Sequence, residues 1–293
     1  MIYRVRHATK YTYTVPVDLA ANMLHLRPQR SEWQIVSEES LSVTPAPRRQ
    51  VDRYDHFGNR VTWLFLDRPH TEFEVVSEAV VEVRPPIYPD PAATPPWEAI
   101  RDMACSAGHG AAAAAEFRFE SARVPHLAGA RAYAASSFPP GRPILQALVD
   151  LNERMFRDFK FRAGVTDIST PIAQVLERRE GVCQDFTHLM LSGLRGLGLP
   201  ARYTSGYIRT RPPPGQARRR GADQSHAWVG GWLGPNHGWA GLDPTNGVLV
   251  TNEHVTLAVG RDFSDISPLR GMILGGGQHA LHVGVDLEPL EAA

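Results

Sequence analysis

Cysteine is scarce in this chain: 293 residues contain Cys105 and Cys183 and no others. Two thiols cannot build a disulfide framework or a cysteine-based zinc site, so each needs its own explanation, and a reducing cytoplasm is the expected compartment. An excess of charge is missing too. The 31 basic residues balance 31 acidic ones, which argues against a nucleic-acid binder, whose surface carries a clear basic excess. No run approaches about 18 uninterrupted apolar residues, so no membrane-spanning helix is expected. The opening MIYRVRHATKYTYTV lacks the apolar stretch of a signal peptide. His226, His237, His254, His279 and His282 show no HExxH or His-x₃-His spacing, and neither a metal nor a cofactor is expected. Lysine is rarer than any of these absences requires: Lys10 and Lys160 stand against 29 arginines. In a chain rich in Ala, Gly and Pro, biased base composition accounts for that. The competing reading is that a protein handling acyl groups avoids amines that would capture them.

What is present begins with strands. From Tyr3 to Val15 the odd positions carry Tyr3, Val5, His7, Tyr11, Tyr13 and Val15, opposed by Arg4, Arg6, Lys10, Thr12 and Thr14. This period of two marks a half-buried strand. Phe73, Val75, Ala79, Val81 and Val83 repeat it against Glu72, Glu74, Glu78 and Glu82. Shorter strands are expected at Leu41–Thr44 and Arg60–Leu66, the latter after the turn Asp55-His56-Phe57-Gly58-Asn59. Residues 1–85 therefore read as an antiparallel β-sandwich. The proline-rich PPIYPDPAATPPW opens a linker and irregular helical segment over 86–141, and 142–293 reads as a second, α+β unit. Pro143 opens a helix of spacing Ile144, Leu148, Leu151, Met155, and a short one follows Thr170-Pro171.

The chemistry sits in the second unit. Phe186, Leu189, Met190, Leu194 and Leu197 form a helical stripe that Gly196, Gly198 and Pro200 end. Cys183 falls at the start of that helix, where unpaired N–H groups and the helix dipole favour an anion. A thiol so placed, with a cationic neighbour, becomes a nucleophile; alone it is more often an inert core residue. Downstream, Ser225–Leu233 and Gly238–Asp243 read as strands of a hairpin turning near 235–236. His226 would then lie opposite residues 243–245, with Asp243 as its cross-strand or diagonal neighbour. A carboxylate fixes the imidazole's tautomer, and the imidazolium stabilises a thiolate.

The stretches GVCQDFTH, SHAWV and GWAGLDPTNG resemble the three core motifs of the transglutaminase-like superfamily, a papain-like group of cysteine acyl-transfer enzymes. YRVRHATKYTY, LRPQR and the DHFGN turn resemble the β-rich N-terminal region of its bacterial branch, and GRDFSDISPLRG and GGGQH its C-terminal part. The resemblance implies Cys183 as nucleophile, His226 as general base and acid, and Asp243 as orienting carboxylate. It also implies a papain-like core, with the cysteine helix packed on an antiparallel sheet. The reaction implied is acyl transfer from an amide through a thioester, with hydrolysis preferred. A true transglutaminase, passing a glutamine acyl group to an amine, and a non-catalytic peptide-binding scaffold are the alternatives. The substrate is a peptide or protein, and family analogy adds an ATP-grasp ligase as partner.

Around the three, Gln184 is a candidate to assist the backbone N–H of Cys183 in an oxyanion hole, although adjacent helical residues diverge by about 100°. Asp185 divides between capping the helix and fixing substrate or a loop. Trp228 shares the strand face of His226 and could line the cleft or simply pack. Asp262 and Asp265 could shape the cleft or hold a loop, and His188 points away. Arg209, Arg211, Arg218, Arg219 and Arg220 form either a solvated loop or a basic lip for acidic substrates.

Overall fold

The computed structural model describes residues 1–106, 111–210 and 224–290. The first strand, β1 (Ile2–Leu24), is long enough to serve two neighbourhoods. It is followed by β2 (Gln34–Thr44), β3 (Arg49–Tyr54), β4 (Arg60–Leu66) and β5 (His70–Val83). Residues Ile2–Thr12 of β1 pair with β5, and Ala20–Leu24 pair with β4. The order β2-β5-β1-β4-β3 is one antiparallel sheet that curls on itself. Phe73 and Val75 of β5 thereby join Val17, Ala20, Leu64 and Leu66 in one core. The expected sandwich is thus folded from a single sheet whose layers share β1. Alternation holds through Tyr13, but Val15 is exposed and Val17 buried, because the pairing register shifts between Thr12 and Val17.

The linker region holds three short helices, α1 (Trp97–Cys105), α2 (Ala112–Ala115) and α3 (Ala128–Ala135). Pro143 precedes α4 (Ile144–Asp158), which buries Ile144, Leu148, Leu151 and Met155 as its spacing dictates. Next come β6 (Lys160–Phe161), α5 (Ile172–Arg178), β7 (Glu180–Gly181) and α6 (Cys183–Gly196). Then β8 (Ala201–Ile208), β9 (Gln224–Trp232), β10 (Trp239–Asp243), β11 (Val248–Leu249) and β12 (His254–Gly260) form a second antiparallel sheet, ordered β11-β10-β9-β8-β12. Helix α6 packs on β8 and β9, and α3 packs on α6. A Cβ at Gly193 would stand 2.9 Å from that of Ala134, so glycine sets how closely α3 and α6 approach.

The chain then returns. Strands β13 (Leu269–Gly275) and β14 (His279–Leu290) pair with the second and first halves of β1, completing the N-terminal sheet. Residues 269–290, which sequence grouping leaves in the 142–293 unit, therefore belong to the other sheet. Hydrogen-bonding demand explains it: the first half of β1 has β5 on one edge only, and β14 supplies the other.

The two sheets are stitched by side chains that imitate a strand. Gln34 donates to the Thr256 carbonyl and accepts from its N–H, both at 2.8 Å. Asn59, from the DHFGN turn, does the same with Val259 at 2.7 and 2.8 Å. Both amides occupy the edge strand β12, which carries His254.

Candidate active site

Helix α6 is built to start at Cys183. Val182 is extended, and Asp185 turns back so that its Oδ2 accepts from the Val182 N–H at 2.8 Å and from the Thr166 hydroxyl at 2.6 Å. One open donor at the helix start is satisfied, and the loop carrying Thr166 is tied down. Gly181 permits this, since a Cβ there would stand 2.8 Å from that oxygen. Burial pushes the Asp185 carboxyl up, more than its two hydrogen bonds pull it down. Asp185 therefore caps the helix and ties a loop, which joins the two readings that its sequence position left open. Cys183 is half-buried, and α6 is buried from Asp185 through Arg195.

The hairpin brings the other two residues to it. Leu242 pairs with Val229, which sets Asp243 diagonally across from His226. His226 Nε2 lies 2.8 Å from Asp243 Oδ2, and the charge of the same imidazole is coupled to Cys183. With Nε2 turned to Asp243, Nδ1 is the nitrogen left for sulfur. Burial alone would lower this imidazole. The hydrogen bond to Asp243 and the interaction with Cys183 outweigh it and raise the pKa from 6.5 to about 10.

Asp243 is fully buried and surrounded by donors. Its Oδ1 accepts from the N–H groups of Thr245 and Asn246 at 3.0 and 3.2 Å. Its Oδ2 accepts from Asn246 Nδ2 at 2.6 Å, His226 and His254 Nε2, the last at 3.2 Å. Burial works against the charge, but these donors hold the carboxyl far below the usual range. His254 Nδ1 accepts the Thr251 N–H at 3.2 Å, so the ring proton sits on Nε2, facing Asp243. His226, Asp243 and His254 place one donor atom each within 4.8 Å of one another, a grouping that could hold a metal ion. Here both imidazoles turn their Nε2 toward the carboxylate, as a hydrogen-bonded network requires.

Trp228 is buried, with its ring 6.1 Å from His226 and 5.3 Å, edge-on, from His254. A Cβ at Gly206 would overlap this indole and the Val255 carbonyl, so glycine makes the space. Gln184 is half-buried, and its side chain makes no hydrogen bond among the described residues. Asp262 is buried and accepts from the N–H groups of Arg123 and Ser264 at 2.8 and 2.7 Å. Its donors hold it below the usual carboxylate range against burial. It anchors two loops. Asp265 pairs with Arg261 at 2.9 Å, and His188, pulled down to about 4 by burial, accepts the Phe263 N–H. Arg209 faces Glu253 at 3.8 Å; Arg211, Arg218, Arg219 and Arg220 lie outside the described residues.

Two contributors escape a reading of spacing. Asn246 had a local signal, the DPTNG turn that wraps the Asp243 carboxylate. His254 had none: it arrives from β12 by way of β8 and entered the sequence reading only as one of several histidines.

A thiol at the head of a buried helix, facing a strand-borne imidazole that a carboxylate holds, on an antiparallel sheet, is the architecture of the papain-like class. The chain belongs to the transglutaminase-like superfamily. Residues 132–244 match the family described as the transglutaminase-like superfamily, and residues 3–82 match the bacterial transglutaminase-like N-terminal region. A Mycobacterium tuberculosis protein, "Uncharacterized protein Rv2569c", is 39% identical, the match covering 99% of this chain and 93% of that one. A Mycobacterium leprae protein, "Uncharacterized protein ML0607", is 31% identical, with 98% of each covered. Among solved structures, a "Putative Cysteine Protease" from Cytophaga hutchinsonii shares the fold at a TM-score of 0.76 and 21% identity, covering 100% of this chain and 92% of that one. No helix among the described residues is long and apolar enough to cross a membrane.

Proposed function

We propose that this protein cleaves amide bonds by cysteine-dependent acyl transfer, with water as the acceptor. Cys183 is the nucleophile, His226 the base and acid, and Asp243 the orienting group. The observation that carries the reading is the His226–Asp243 hydrogen bond, with Asp243 saturated with donors and the imidazole charge coupled to Cys183 at the head of α6. An imidazole protonated to about pH 10 stabilises a thiolate beside it. The thiolate attacks the amide carbonyl, and the Cys183 N–H, open at the helix start, faces the developing oxyanion. His226 gives its proton to the departing amine, leaving a thioester. It then takes a proton from water, which opens the thioester to a carboxylic acid and regenerates the thiol. Two free thiols suit a reducing, cytoplasmic setting.

Transfer to an amine follows the same steps until the last. The test is to incubate wild type and Cys183→Ala with a glutamine-containing peptide pool and a labelled primary amine. Cysteine-dependent cleavage or ammonia release without label supports hydrolysis, and label incorporation replaces it with transfer. If neither occurs, and iodoacetamide modifies Cys183 no faster than Cys105, the module is a binding scaffold instead.

A further inference from the structure

Beside the His226–Asp243 pair, residues of the two sheets line a partly open cavity of about 190 Å³. Its walls include Trp33 and Tyr88 from the N-terminal side and Arg202, Trp228, Trp239 and His254 from the core sheet. Arg202 lies across Gly230, where a Cβ would stand 2.9 Å from its Cγ, and its guanidinium stacks 4.4 Å from the centre of the Trp239 ring. Arg202 is half-buried as a residue, yet its Nε is sealed from solvent and has no hydrogen-bond partner. Among the described residues, its side chain makes no ion pair and no hydrogen bond. A buried cation with an aromatic face but no anion beside it is costly to keep. Burial pulls it down to about 10, which still leaves it charged at neutral pH. Arg84, the other cation in the wall, is already paired with Glu82 at 2.8 Å.

We propose that this cavity is a binding site for a carboxylate carried on a body about the size of one amino acid residue, with Arg202 as its counter-charge. One uncompensated positive charge matches a monoanion, and a planar guanidinium matches the two oxygens of a carboxylate. At roughly 30 Å³ per water, the volume exceeds a bare carboxylate several-fold, and the aromatic walls suit an apolar body. The site stands whether or not Cys183 is a nucleophile. It adjoins the pair nonetheless, because Trp228 and His254 form its wall and touch His226 and Asp243.

Three tryptophans in the wall make intrinsic fluorescence a direct readout, and thermal melting is a second. Both are followed while titrating N-acetylleucine, its uncharged amide, acetate, inorganic phosphate and a decapeptide ending in leucine. Wild type should respond saturably to N-acetylleucine, at least ten-fold more tightly than to acetate, phosphate or the amide. Arg202→Met should lose the response while melting no lower than wild type, since it removes an uncompensated charge. Arg202→Lys, which keeps the charge without the fork, should weaken it about ten-fold and guards against misfolding of the first variant. Binding of the peptide as well identifies a chain end as the source of the carboxylate, and binding of the small acid alone identifies a free metabolite; both support the site. No saturable response in wild type, an undiminished response in Arg202→Met, or equal binding of acetate or phosphate overturns it.

Discussion

At the scale of single residues, the site is governed by which groups keep their charge. The folded-state pKa of His226, about 10, lies above its ordinary 6.5. Its contacts therefore stabilise the fold fully below about pH 6.5 and lose that contribution as pH rises through about 10. The melting-temperature advantage of wild type over His226→Gln should shrink across that window, and a constant difference would refute the ion pair. Asp243→Asn removes the anion that holds the imidazolium. Alkylation of Cys183, mapped by mass spectrometry in a Cys105→Ser background, should slow about 100-fold or more. Its alkaline limb should also move down from about pH 10. His254→Phe takes away one of five donors to Asp243, so the limb should move in the same direction by a smaller amount and return toward wild type in His254→Gln. A purely structural His254 would lower the melting temperature and leave the limb in place.

At the scale of elements, the start of α6 depends on one oxygen accepting two hydrogen bonds. Asp185→Ala should cost about 1 kcal/mol in urea unfolding. Asp185→Asn keeps an acceptor for both Val182 and Thr166 and sheds a buried charge, so it should stay within about 0.5 kcal/mol of wild type; equal losses would show that charge, not capping, matters. This level was also the most readable beforehand. Period-two runs located β1 and β5, a 3.6-residue stripe located α6, and hairpin geometry paired His226 with Asp243, because each signal is local. The partners of β1 were not readable, since an exposed strand edge does not encode which distant strand will cover it. His254 was hidden for the same reason, and Val15 because a register shift leaves no mark on the alternation preceding it.

At the scale of the molecule, no boundary separates two independent units. Tyr3, Val5, Val81, Val285 and Leu287 of the N-terminal sheet share one apolar core with Phe186, Leu189 and Tyr203. His7 Nδ1 meets the Tyr207 hydroxyl at 2.8 Å, and Gln34 and Asn59 hold β12. Calorimetry should accordingly show a single unfolding transition, and two resolved peaks would contradict the shared core.

The return of β13 and β14 to β1 has a consequence for how the protein comes into being on the ribosome. Its first strand emerges early, but the strands that cover its remaining edges are translated more than 240 residues later. Until then β1 exposes an unsatisfied edge, and the tie between the N-terminal sheet and the Cys183 core lacks Val285 and Leu287. A nascent chain stalled before residue 269 should therefore remain protease-sensitive in its N-terminal sheet and acquire resistance once residues 269–290 have emerged. The order of synthesis thereby delays the final setting of Cys183 until β14 has been made.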